Sequence, residues 1–192
     1  MPGLDIRSGP RPAACEHCGM PRSRISRKIG AIAESATLAV DAKAKGLKIV
    51  TAESCTGGWV AQALTAIAGS SDWFERGFVT YSDAAKQEML GVSAVTLAAH
   101  GAVSEQTARE MAAGALARSR AQAALAITGI AGPSGGTPQK PVGMVCFAWA
   151  GSKGVLAART HRFDGDRESV RLQSVIFALQ GVLELLESST RS

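Results

Sequence analysis

Ser54, Tyr81 and Lys86 are the side chains in this sequence whose neighbours could support nucleophilic chemistry. Ser54 lies in Lys48-Ile49-Val50-Thr51-Ala52-Glu53-Ser54-Cys55-Thr56-Gly57-Gly58, an apolar, β-branched run that ends in small polar residues and a glycine pair. Residues 59–64 then read as a helix. A strand that turns directly into a helix delivers a side chain and unpaired backbone N–H groups to one crevice. The same residues admit a plainer use, in which Ser54 and Thr56 cap the helix while Gly57 and Gly58 let the chain turn. Lys86 also admits two readings. As a general base it must be neutral, which asks its pKa to fall from about 10.4 by roughly 3 pH units, or about 4 kcal/mol. Its place in the first turn of a helix supplies only about 0.3–1 kcal/mol of that, so burial or another cation must supply the rest. Otherwise it is a solvated surface lysine. Tyr81 is the only tyrosine, and it belongs either to this chemistry or to half-buried packing.

Other chemistries find less support. His100 falls at a helix end and His161 on an edge strand, so a Ser-His-Asp triad has no base near Ser54. No strand is followed by G-x-G-x-x-G, and the G-x-x-x-x-G-K-[ST] phosphate loop is absent. Cys15-Glu16-His17-Cys18 has metal-ligand spacing, but a closed zinc site needs a second such knuckle and the sequence has none. Cys55 and Cys146 sit in or beside apolar runs, where cysteine behaves as a small hydrophobe. Free thiols fit a cytoplasmic protein.

The elements that must carry these residues alternate between strand and helix. Apolar residues at helical spacing span 29–45, stopped by Gly46. A strand at 47–52 leads into the Ser54 turn, and a helix over 58–68 follows. A second strand covers 78–81, entered through 73–77, and precedes a helix over 84–90 that carries Lys86. A short helix spans 93–99, and Ser104 caps a long one reaching about 120. Residues 123–128 are almost continuously apolar, as in a strand covered on both faces, and lead into the glycine-dense loop 129–136. Strands at 142–150 and 155–163 and a final amphipathic helix complete the chain. This pattern predicts an α/β protein, a three-layer α/β/α sandwich with a mostly parallel central sheet. If the first three strands are parallel, the loops after them meet at one carboxyl edge.

The 192 residues suffice for one well-buried core, and the sequence predicts no apolar run approaching the roughly 20 residues that span a bilayer. The formal charge is +5, but six of the 21 Lys and Arg and only two of the 16 acids fall in residues 1–30. The remainder is close to neutral, which argues against a nucleic-acid partner. Residues 1–27 read as a disordered basic extension, with Met20 a candidate alternative start, and residues 28–190 as the folded domain.

Several motifs resemble the CinA C-terminal domain family. They are Thr51-Ala52-Glu53-Ser54-Cys55-Thr56-Gly57-Gly58, Gly77-Phe78-Val79-Thr80-Tyr81-Ser82 with Ala85-Lys86, Gly101-Ala102-Val103-Ser104, Thr128-Gly129-Ile130-Ala131-Gly132-Pro133, Lys140-Pro141-Val142-Gly143 and Phe163-Asp164-Gly165-Asp166-Arg167. They occur in the family's order over about residues 30–187. The stand-alone members are amidases that hydrolyse nicotinamide mononucleotide to nicotinate mononucleotide and ammonia in NAD salvage. The resemblance implies Ser54 as nucleophile, Lys86 as its base and Tyr81 as a group orienting the pair, without metal or cofactor. It further implies that Thr56, Gly57 and Gly58 serve the substrate; the helix-terminal amides around 55–58, preorganised for developing negative charge, are the candidate oxyanion site. Thr128, Gly129 and Gly132 would hold pyridine and ribose. Arg167 would meet the phosphate or form a helix-start ion pair, and Glu53 would orient Lys86 or a ribose hydroxyl. It implies a small-molecule mononucleotide substrate, no membrane partner and a homo-oligomer. The alternative is a non-catalytic nucleotide-binding accessory protein linked to competence or DNA damage.

Overall fold

The computed structural model describes residues 22–151 and 154–188. Cys15, Cys18 and Met20 lie outside the described residues. Helix α1 (Arg22–Ala44) begins within the stretch assigned to the basic extension and ends before Gly46, whose φ of 60° closes the helix. Strand β1 (Ile49–Glu53), helix α2 (Trp59–Thr65), strand β2 (Phe74–Val79) and helix α3 (Asp83–Leu90) follow. The chain continues through α4 (Ala94–His100), α5 (Glu105–Ala117), β3 (Ala123–Gly129), β4 (Met144–Gly151), β5 (Gly154–Arg162) and α6 (Arg167–Ser188).

The five strands form one mixed sheet in the order β2-β1-β3-β4-β5. β1 is parallel to both neighbours, and β4 and β5 are added antiparallel. The parallel centre and three-layer arrangement agree with the sequence. β2 differs, because it starts at Phe74 rather than 78 and pairs Phe74 with Ile49. Gly77 is a strand residue. A Cβ there would lie 2.8 Å from Thr51 Oγ1 and 3.3 Å from the Ala61 Cβ, so glycine lets the strand pack beneath α2.

Period-2 alternation gives the two sheet faces different characters. Ile49, Leu125, Ile127, Val145, Phe147 and Trp149 face α1, α2 and α6. Val50, Ala52, Ala124, Ala126, Ala148 and Ala150 face α5. Bulky residues fill the first layer, each fully buried one contributing about 1.5–3 kcal/mol. Small residues let α5 lie close on the second. The helix α6 is long and apolar enough in composition to cross a bilayer, which corrects the expectation that no such run exists. In the fold that composition serves the core. Val175, Ala178, Leu179 and Val182 are buried, and the Trp149 indole N–H donates to Ala178 O at 2.9 Å.

Because α2 lies on one face and α3 on the other, the helices following adjacent strands β1 and β2 diverge. Such divergence opens a crevice at the carboxyl end of the strands.

Candidate active site

Alternation along β1 decides which way each chemical side chain points. Thr51 and Glu53 share the α2 face, whereas Ala52 shares the α3–α5 face. Ser54, one residue beyond the strand, falls on the Ala52 side and meets α3. Its amide donates to Ile127 O at 2.9 Å, and Thr80 N donates to Glu53 O at 2.8 Å, so the ends of all three parallel strands are tied together.

Lys86 lies one turn into α3, whose N-cap Ser82 accepts a bond from Ala85 N at 3.1 Å. The side chain runs inward and is only 1% exposed. Its Nζ stands 3.3 Å from Ser54 Oγ and donates to Thr80 O at 3.0 Å. Burial pushes the ammonium below its ordinary value of 10.5, against opposition from Asp83 and Cys55. The α3 N-terminus adds to the depression in a small way. Of the two readings of Lys86, the solvated surface lysine is thereby removed. The neighbouring Cys55 thiol is buried and pushed up to about 12, chiefly by desolvation, so it stays protonated beside Ser54.

Glu53 is not a partner of Lys86 here, nor is it open to a ribose hydroxyl. It is fully buried, and its Oε2 accepts from Gly58 N and Val60 N, each at 3.0 Å. Its Oε1 accepts from Ala61 N at 2.9 Å and Thr51 Oγ1 at 3.4 Å. Glu53 is thus the cap of α2, replacing Ser54 and Thr56 in that role. It also occupies the amides of Gly58, Val60 and Ala61, and the Trp59 amide donates to Thr56 O at 3.3 Å, which removes these as oxyanion donors. Gly57 N is bonded to Ser54 O. The Thr56 amide has no acceptor among the described residues, while the Cys55 amide lies against its own thiol sulfur. Gly57 and Gly58 take φ of 62° and 93°, a region costly for other residues, which explains the glycine pair.

Tyr81 also departs from expectation. Thr80 turns inward and Tyr81 outward, 61% exposed, and its hydroxyl accepts from Arg167 Nη2 at 2.8 Å. It therefore touches Arg167 rather than the Ser54–Lys86 pair. Arg167 Nη1 donates to Gly132 O at 2.9 Å, so this guanidinium joins the loops after β2 and β3. Thr128 is 1% exposed and donates to Ala102 O at 2.7 Å, holding the loop before α5 rather than offering a free hydroxyl. A Cβ at Gly129 would lie 2.8 Å from Val145 Cγ2, so this glycine serves the β3–β4 approach. The Thr56 hydroxyl is buried and has no hydrogen-bond partner among the described residues.

The sequence reading missed Arg171. From α6 it donates through Nε to Cys55 O at 3.0 Å and through Nη2 to Thr56 O at 2.7 Å. Its guanidinium stands 5.1 Å from the Trp59 ring centroid. The available signal was its position four residues after Arg167, which puts both on one helix face. A cavity of about 460 Å³ lies behind this turn, lined by Gly57, Gly58, Trp59, Gln62, Glu168 and Arg171.

A serine hydroxyl beside a buried amine, at the end of a parallel strand and with the unengaged Thr56 amide two residues on, is chemically competent for acyl transfer. Comparison with known proteins agrees with that class. Residues 31–186 match the CinA C-terminal domain. The Escherichia coli K12 protein named nicotinamide-nucleotide amidohydrolase PncC is 59% identical over 138 residues, covering 72% of this chain and 84% of that one. The Pseudomonas putida protein of the same name is 52% identical, covering 72% and 86%. The crystal structure of competence/damage inducible protein CihA from Agrobacterium tumefaciens superposes with a TM-score of 0.77 at 48% identity, covering 81% of this chain and 95% of that one. The chain belongs to the CinA C-terminal domain family.

Proposed function

We propose that this protein is a nicotinamide-nucleotide amidase that hydrolyses the carboxamide of nicotinamide mononucleotide to nicotinate mononucleotide and ammonia, within pyridine-nucleotide salvage. The observation that carries the mechanism is the 3.3 Å approach of the buried Lys86 Nζ to Ser54 Oγ. The substrate rests on the relatives named PncC, similar over most of their own length. A non-catalytic binding module would have no use for a buried lysine held against a serine, because burying an amine costs stability.

Neutral Lys86 takes the Ser54 proton as Oγ bonds to the carboxamide carbon. The negative charge that develops on the former carbonyl oxygen is met by the amide of Thr56. Collapse breaks the C–N bond, and Lys86 returns the proton to the departing nitrogen, which leaves as ammonia. An ester on Ser54 remains. Water, losing a proton to Lys86, attacks that ester, and the proton passes back to Ser54 Oγ as nicotinate leaves. Thr80 O holds the amine in place throughout. The Arg167–Tyr81 pair on the rim faces the phosphate end, where a guanidinium suits an anion. The protein acts in the cytoplasm as a homo-oligomer in this reading.

Purified protein given nicotinamide mononucleotide should release ammonia and the acid product, followed by mass spectrometry. Ser54→Ala and Lys86→Ala should each lose at least about 100-fold in turnover. Undiminished turnover in both would overturn the assignment.

A further inference from the structure

Two charged side chains hold the turn that carries Ser54, one from each side. Glu53 holds its donors, the amides of Gly58, Val60 and Ala61. Arg171 holds its acceptors, the carbonyls of Cys55 and Thr56. The Arg171 bonds fix more than position. In a trans peptide the C=O and the following N–H point in opposite directions within one plane. Drawing Cys55 C=O toward α6 therefore turns Thr56 N–H away from α6. Thr56 N–H has no acceptor among the described residues, whereas the next amide, Gly57 N, is returned to Ser54 O at 3.0 Å.

We propose that Arg171 is a positioning residue for the acyl-transfer step, setting the Cys55–Thr56 peptide plane so that Thr56 N–H stands ready for the developing oxyanion. The inference rests on the proposed amidase reading and deepens it. Its fork geometry matters, since one guanidinium spans two successive carbonyls at 3.0 and 2.7 Å, which a lysine ammonium cannot match in one plane. Trp59 supports the fork from one face. Arg167, one turn earlier in α6, reaches instead to Gly132 O and Tyr81. The two arginines thus have separate tasks, and Arg171 acts on the backbone of the nucleophile turn rather than on the substrate.

The test compares Arg171→Lys and Arg171→Met with the wild type in steady-state turnover of nicotinamide mononucleotide, after circular dichroism has established folding. The expected result is a fall in kcat of about 100- to 1,000-fold, the loss typical of one oxyanion donor, with KM little changed. Added methylguanidinium should restore part of kcat in Arg171→Ala without altering KM. A raised KM with kcat retained would make Arg171 a substrate-anion ligand and overturn the proposal. So would full kcat in Arg171→Lys, the variant least disturbing to the fold. The same variants are also labelled with a fluorophosphonate probe, whose reaction at Ser54 needs the oxyanion donors but no particular amide. Labelling slowed in Arg171→Lys supports the positioning role even if nicotinamide mononucleotide is not the substrate, and unslowed labelling refutes it. Wild-type protein that labels normally but does not turn over this nucleotide would instead count against the proposed function alone.

Discussion

Replacing Glu53 by Gln separates a structural carboxylate from a substrate-binding one. The side chain is fully buried and accepts bonds from Gly58 N, Val60 N, Ala61 N and Thr51 Oγ1. Gln keeps the shape but turns one of the two acceptor ends into an NH2 group. Whichever way the amide is placed, its NH2 faces at least one backbone N–H. The best placement puts it toward Ala61 N and Thr51 Oγ1, where the hydroxyl can rotate to accept. One amide bond to a charged acceptor is then lost, worth about 1.5–3 kcal/mol. The bonds kept at Gly58 and Val60 also lose their charge assistance. The working total is about 2–4 kcal/mol, a large part of the roughly 5–15 kcal/mol that a domain possesses. At about 2–4 °C per kcal/mol for a chain of this size, Tm should fall by about 4–16 °C. Thermal unfolding by circular dichroism measures it, with kcat and KM taken well below the transition. An unchanged Tm accompanied by a raised KM would refute the reasoning and return Glu53 to the substrate.

Three further outcomes are expected. With Lys86 as the proposed base, active when neutral, kcat/KM should rise with pH and level off below 10.5, the fall toward acid marking protonation of the buried amine. Between the depressed folded value and 10.5 the unfolded chain binds the extra proton, so stability should also rise with pH across that window. Lys86→Met should flatten that rise in urea titrations at several pH values. Gly114→Ala should damage α3, because a Cβ there would lie 1.9 Å from Leu90 O at the helix end. The helix-propensity gain of about 1 kcal/mol is set against overpacking of about 1–3 kcal/mol or more. The sharper readout is kcat, which should drop because the helix that carries Lys86 is displaced.

Ser54, Lys86 and the glycine turns were legible from local chemistry together with the family's motifs, and so was the order of strands and helices. Strand–turn–helix patterning fixes which loops lie at the carboxyl edge, since parallel strands bring successive loops together. The start of β2 was not legible. Gly77 weakens a strand pattern locally, and only the close approach of Thr51 and Ala61 gives it a reason.

What the sequence by itself determined was the α/β framework, the near-neutral body and a serine and lysine 32 residues apart, each following a strand. What tertiary structure decided was direction. Alternation at the end of β1 sends Glu53 toward α2 and Ser54 toward α3, making the first a helix cap and leaving the second to meet Lys86. The same alternation after β2 turns Thr80 inward to hold the amine and Tyr81 outward to hold Arg167. The grip of Arg171 on the nucleophile turn joins residues 115 and 116 positions apart, and no local pattern encodes a contact of that range. It exists because the bulky and small faces of the sheet assign α6 and α5 to opposite sides, placing α6 against the turn.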